Sequence, residues 1–134
     1  MERDPQKAVG LIRGAAENDL PEAIKKLASM YHDGDGVKRD YEEEVVWLRK
    51  MVEVRRKVYE LSGEEYNGLK LISSCWALGD ALYATRKLSE AKEAYELMLR
   101  SAEKYMRIIL DLHPGKIQES VMKGLEISQN LRGN

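Results

Sequence analysis

The chain has 134 residues, 43% of them hydrophobic, which is enough for one domain with a continuous core. Lys plus Arg number 22 against 23 Asp plus Glu, so no net field recruits nucleic acid or an anionic membrane, and both partner classes are set aside. Cys75 is the single cysteine, no apolar run reaches the ~20 residues of a bilayer span, and MERDPQKAVG lacks a signal-peptide core; a soluble chain is expected, with the cytoplasm favoured.

Proline occurs only at positions 5, 21 and 114, each near the start of an apolar-periodic run, where its missing N–H costs a helix nothing. No sustained alternation of β-branched residues predicts a strand. The pattern predicts helices over 5–17, 21–32, 41–61, 64–86, 89–111 and 116–131. Asp4 and Asp40 stand as N-caps of the first and third.

Between the second and third predicted helices lies YHDGDGVKRDY, residues 31–41. Its three aspartates and His32 invite a metal reading. An EF-hand loop starting at Asp33 would put Val37 at the fifth position, where an oxygen ligand is needed, and its glycine falls too early. A zinc site would have one histidine, since His113 lies far along the chain. A turn asks less: Gly34 and Gly36 supply unusual backbone angles, Asp40 caps the next helix, and Tyr31 and Tyr41 pack on either side. No metal and no cofactor is expected.

The 41–61 segment carries Trp47, Met51, Val54, Val58 and Leu61 on one stripe, and Val45, Leu48, Val52 and Tyr59 widen it. A helix apolar over so much of its circumference is expected to pack on two sides, as in a row of stacked hairpins. Arg55, Arg56 and Lys57 read as a solvated face of the same helix. The apolar set from Ala91 to Leu112 reads as core in the same way. The last segment, 116–131, is weaker and is expected to close the array through Ile117, Val121, Leu125 and Leu131.

Shifting the chain by 36 residues pairs DPQKAVGLIRGAAE (4–17) with DYEEEVVWLRKMVE (40–53). Asp4 with Asp40, Val9 with Val45, Arg13 with Arg49 and Glu17 with Glu53 are identical, and Leu11 with Trp47 and Ile12 with Leu48 keep the apolar face. A repeat of this length is the mark of a helical solenoid whose hairpins bury their faces against neighbours. The 4–17 segment then reads as a half repeat, the second helix of a unit.

Residues 16–50, through Ala23, Leu27, Ala28, Tyr31, Gly34, Gly36, Val37, Asp40, Tyr41, Val45 and Trp47, resemble the Sel-one-like repeat (SLR) family. Glu44, Met51 and Val52 depart from its small residues. Residues 75–100, with Leu78, Gly79, Ala91 and Tyr95, are similar to the tetratricopeptide repeat (TPR), whose small residues let helices cross closely, although Cys75, Leu82 and Met98 replace its usual residues. The resemblance implies an all-α fold, a right-handed α-α superhelix of stacked antiparallel hairpins: a half repeat at 4–17, an SLR unit at 21–61, a TPR-like unit at 64–111 and a capping helix at 116–131.

The same resemblance implies a concave groove lined by first helices that binds a protein or peptide. Position by position it assigns Glu22, Lys25, Ser29 and His32 to that groove on one unit, and Ser73, Trp76, Asp80 and Tyr83 on the other. Trp and Tyr are common interface anchors, and core packing of Trp76 is the competing reading. An enzyme is not expected: Cys75 has no histidine near it in sequence, the glutamate runs at 42–44 and 64–65 belong to helix starts, and no phosphate loop occurs. The alternative to a groove is self-assembly, a homodimer formed through the exposed half repeat with Leu11 and Ile12.

Overall fold

A computed structural model describes residues 5–102, apart from a few side chains, and over that span the chain is helical, with no strand among the described residues. Five helices follow one another: α1 (Pro5–Glu17), α2 (Pro21–Asp33), α3 (Tyr41–Ser62), α4 (Glu65–Ala84) and α5 (Leu88–Ala102). The proposed cap at Asp4, the continuation of the fifth helix to 111 and the capping helix at 116–131 lie outside the described residues. Two compact units divide the chain, the first ending at Arg55 and the second beginning at Arg56. Among the described residues no helix is long and apolar enough to cross a membrane.

In the first unit α1 and α2 form a hairpin. Its turn works because Asp19 adopts φ 65°, a left-handed angle that aspartate tolerates, while the Asp19 and Leu20 amides donate back to the carbonyls of Ala16 and Ala15. Lys50 of α3 reinforces it: Nζ donates to the Glu17 carbonyl at 3.2 Å and stands 3.3 Å from Asp19 Oδ1. Val9 and Ala16 of α1 are buried, as are Ile24, Leu27, Ala28, Met30 and Tyr31 of α2, the i, i+3, i+4 spacing of one helix face. Arg13 donates to the Tyr31 hydroxyl and lays its guanidinium beside the same ring.

The loop after α2 is a turn. Gly34 at φ 72° donates its amide to the Met30 carbonyl at 2.8 Å, ending the helix, and Gly36 also has a left-handed angle, φ 76°. Asp40 then starts α3: its Oδ1 accepts from the amides of Glu42 at 3.0 Å and Glu43 at 3.2 Å. The Asp40 amide donates in turn to the Tyr31 carbonyl at 3.0 Å, tying the exit of the loop to the end of α2.

Along α3 both expected stripes are buried at first, through Val45, Trp47, Leu48, Met51 and Val52. The expectation fails further on, where Val58 is exposed and Leu61 is 90% exposed. Periodicity marks one face of a helix, but burial also needs a neighbour beside every turn of it. Leu11 of the half repeat is exposed, at 69%, whereas Ile12, expected beside it, is turned partly inward. Two more expectations are corrected. Tyr41 is exposed, its ring lying beside His32 with the Arg39 guanidinium nearby, because a residue at the first position of a helix projects past the hairpin. The Arg55 side chain is only 11% exposed, so it is no solvated member of its basic run, while Arg56 and Lys57 are exposed.

The second unit is built on the hairpin of α4 and α5. Gly63, at φ 64°, closes α3 by donating to the Tyr59 carbonyl at 2.8 Å. Its core joins Leu71, Ile72, Cys75, Leu78 and Leu82 of α4 to Ala91, Ala94, Tyr95 and Met98 of α5. The hairpin turn is held by Thr85, whose hydroxyl donates to the Ala81 carbonyl at 3.0 Å, and by the Lys87 amide, which donates to the Leu82 carbonyl at 2.9 Å.

Candidate functional site

The four residues assigned to α2 stand where the helical period puts them. Glu22, Lys25, Ser29 and His32 are all exposed, at spacings of three, four and three, on the flank of α2 opposite its buried residues. Both ends of this stripe are tied to α3. His32 Nδ1 lies 2.9 Å from Glu44 Oε2, and Glu22, itself 77% exposed, lies 4.0 Å from the Arg55 guanidinium. Glu44, the large residue that departs from the repeat pattern, thus has a defined use as the partner of His32. Lys25 and Ser29 lie exposed between the two tethered ends.

On α4 the picture is mixed. Ser73 and Tyr83 are exposed, while Trp76 and Asp80 are half-buried. Asp80 is fixed by the Tyr95 hydroxyl of α5, which donates to Oδ1 at 2.6 Å. Burial, the hydrogen bond to Asp80 and the charge of that carboxylate all push the Tyr95 phenol upward, so it remains the protonated donor. Trp76 stands one turn before Asp80 and Tyr83 nearly one turn after it. The Trp76 indole N–H is enclosed and has no hydrogen-bond acceptor among the described residues. Trp76 is therefore largely packed, with only part of the residue reaching solvent.

Chemically the first stripe can exchange hydrogen bonds and charge, and the second offers two aromatic rings around a carboxylate held in one orientation. The stripes belong to different units, and each is a surface by itself. Sequence reading did not identify Arg55, Glu44 or Tyr95 as the groups that hold these residues; their partners are fixed only once the helices are paired in space. The two tyrosines of the 31–41 segment gave no hint that Tyr41, and not Tyr31, would stand beside His32.

Cys75, Asp40 and His32 each have defined surroundings. Cys75 is 1% exposed, and burial pushes its thiol up to about 12, against the lowered value a nucleophile needs. Asp40 caps α3, His32 pairs with Glu44, and among the described residues no three histidine, cysteine or carboxylate side chains converge as metal ligands. Comparison with protein-family models, with curated proteins and with solved structures found no match for this chain.

Proposed function

We propose that the chain is a non-enzymatic helical-repeat scaffold, a solenoid of SLR and TPR-like hairpins, that holds a protein or peptide segment against its first helices. The contacts are Glu22, Lys25, Ser29 and His32 on α2, and Ser73, Trp76, Asp80 and Tyr83 on α4. The observation that carries the reading is the α4 flank. Leu71, Ile72, Cys75, Leu78 and Leu82 fill the hairpin core, while on the same helix Tyr83 is exposed and Trp76 only partly covered, either side of a carboxylate that Tyr95 keeps in place. Rigid aromatics with large contact area and few rotors are the groups that anchor interfaces. Asp80 retains lone pairs for a backbone amide or a basic side chain of the bound segment.

The test is capture of partners from the native source by immobilised chain, identified by mass spectrometry, with Trp76→Ala and Tyr83→Ala run beside the wild type. Both variants are expected to keep the helical circular dichroism spectrum and to lose the same partners. Unchanged partner recovery with an intact fold removes the α4 surface from the proposal.

A further inference from the structure

Leu11 is the most exposed apolar residue of the first hairpin, at 69%, and it stands at the centre of the α1 face turned away from α2. The internal repeat gives that position a history within this chain: 36 residues on, the equivalent residue is Trp47, which is 7% exposed. A position packed in one copy of the repeat is bare in the other. With the helix turning about 100° per residue, Lys7 and Gly14 lie within about 60° of Leu11, and Gly10 and Glu17 lie about 100–120° round on the same flank. Beside both glycines there is open space where a Cβ would stand.

We infer that α1 is a self-pairing face, on which a second copy of this chain docks antiparallel about a two-fold axis on the Leu11 side of the helix, at the level of residue 12. The charge pattern selects this occupant. Lys7 and Glu17 are each five residues from position 12, so a two-fold antiparallel pair brings Lys7 of each copy opposite Glu17 of the other. In a parallel pair the like charges would meet instead. The same register sets each Leu11 against the glycine side of its partner, where missing side chains let helix backbones approach and give a leucine a recess to fill. Antiparallel helices also place the opposite ends of their dipoles together. Lys7 already interacts within its own chain, so the added attraction falls on an ion pair at a solvent-exposed rim, which governs register more than strength. The interface is one helix per copy, in the class of small, transient contacts.

This face is separate from the α2 and α4 surfaces, and its test does not involve them. Sedimentation equilibrium of the full chain is run from roughly 10 μM to about 1 mM, the range that resolves millimolar affinities. The wild type is expected to shift from monomer toward dimer across that range, and Leu11→Lys to remain monomeric with an unchanged circular dichroism spectrum. Lys7→Glu and Glu17→Lys are each expected to weaken association several-fold, and the double reversal to restore it. A wild type that is monomeric throughout overturns the proposal. So does a dimer that survives Leu11→Lys, or one that the double reversal fails to restore.

Discussion

A Cβ at position 79 would fall 2.5 Å from Cε1 and 2.7 Å from Cδ1 of Tyr95, so α4 and α5 cross at a point where only glycine fits. The ring has little room to withdraw, since Tyr95 is 1% exposed and its hydroxyl is engaged by Asp80. Gly79→Ala is expected to destabilise the second unit by about 1–3 kcal/mol through overpacking, outweighing the ~1 kcal/mol that alanine gains over glycine in a helix. Urea unfolding measures it. In a Tyr95→Leu background the same substitution should cost much less, and equal costs in both backgrounds would show that the ring is not the obstacle.

Asp40 gives a second expectation. Its carboxylate accepts from two amides that the first turn of α3 leaves without partners. Asp40→Ala should lower stability by about 1 kcal/mol and Asp40→Asn by less, read from the urea midpoint. A metal loop would behave otherwise, with stability rising on addition of Ca²⁺ or Zn²⁺, which titration calorimetry would detect.

Stability should fall in alkali, and the direction follows from Cys75 and Tyr95. Both are neutral when protonated, and both hold the proton to higher pH in the folded chain, Cys75 to about 12 from an ordinary value of 9.0. Above pH 9.0 the unfolded chain binds fewer protons at the cysteine than the folded one, so unfolding is increasingly favoured; the tyrosine adds to this above 10.0. The slope reaches at most about 1.4 kcal/mol per pH unit for each group. Melting followed from neutral pH upward should show a plateau that ends near the cysteine value. Cys75→Ala should remove the earlier part of the decline and Tyr95→Phe the later part.

Arg55 is the group whose removal should cost least relative to its burial. Its partner Glu22 is exposed and 4.0 Å away, and Nε has no acceptor among the described residues. Glu22→Ala should change stability by less than about 1 kcal/mol. Arg55→Met, which keeps the aliphatic stem and removes the enclosed charge, should be neutral or stabilising in thermal melts.

Helix existence was legible because it is written locally: proline at first turns, the Asp40 cap, and glycines at the left-handed positions 34 and 36 are properties of a few adjacent residues. What pairs with those helices was less legible. Val58, Leu61 and Leu11 satisfy the apolar period as well as Val45 or Met51 does, yet they face solvent, because periodicity does not say whether a neighbour reaches that turn. Arg55 misled for the converse reason: a charged residue within a basic run reads as exposed unless the helix beside it is known. The α2 residues that the resemblance assigned lie on an exposed flank, but the tethers of His32 to Glu44 and of Glu22 to Arg55 join residues twelve and thirty-three positions apart, beyond any local pattern.

The placement of Trp47 in the first unit, and of Trp76 and Cys75 in the second, gives the chain its own reporters. A thiol sealed in the α4–α5 core reacts with an aromatic disulfide reagent only when that core opens, so the labelling rate at low denaturant times the opening of the second unit alone. Trp76→Phe leaves indole emission to Trp47 and thus to the first unit. Run on one sample, the two signals separate a chain that opens as a whole from one whose halves come apart at different denaturant concentrations, across a helix, α3, that both units share.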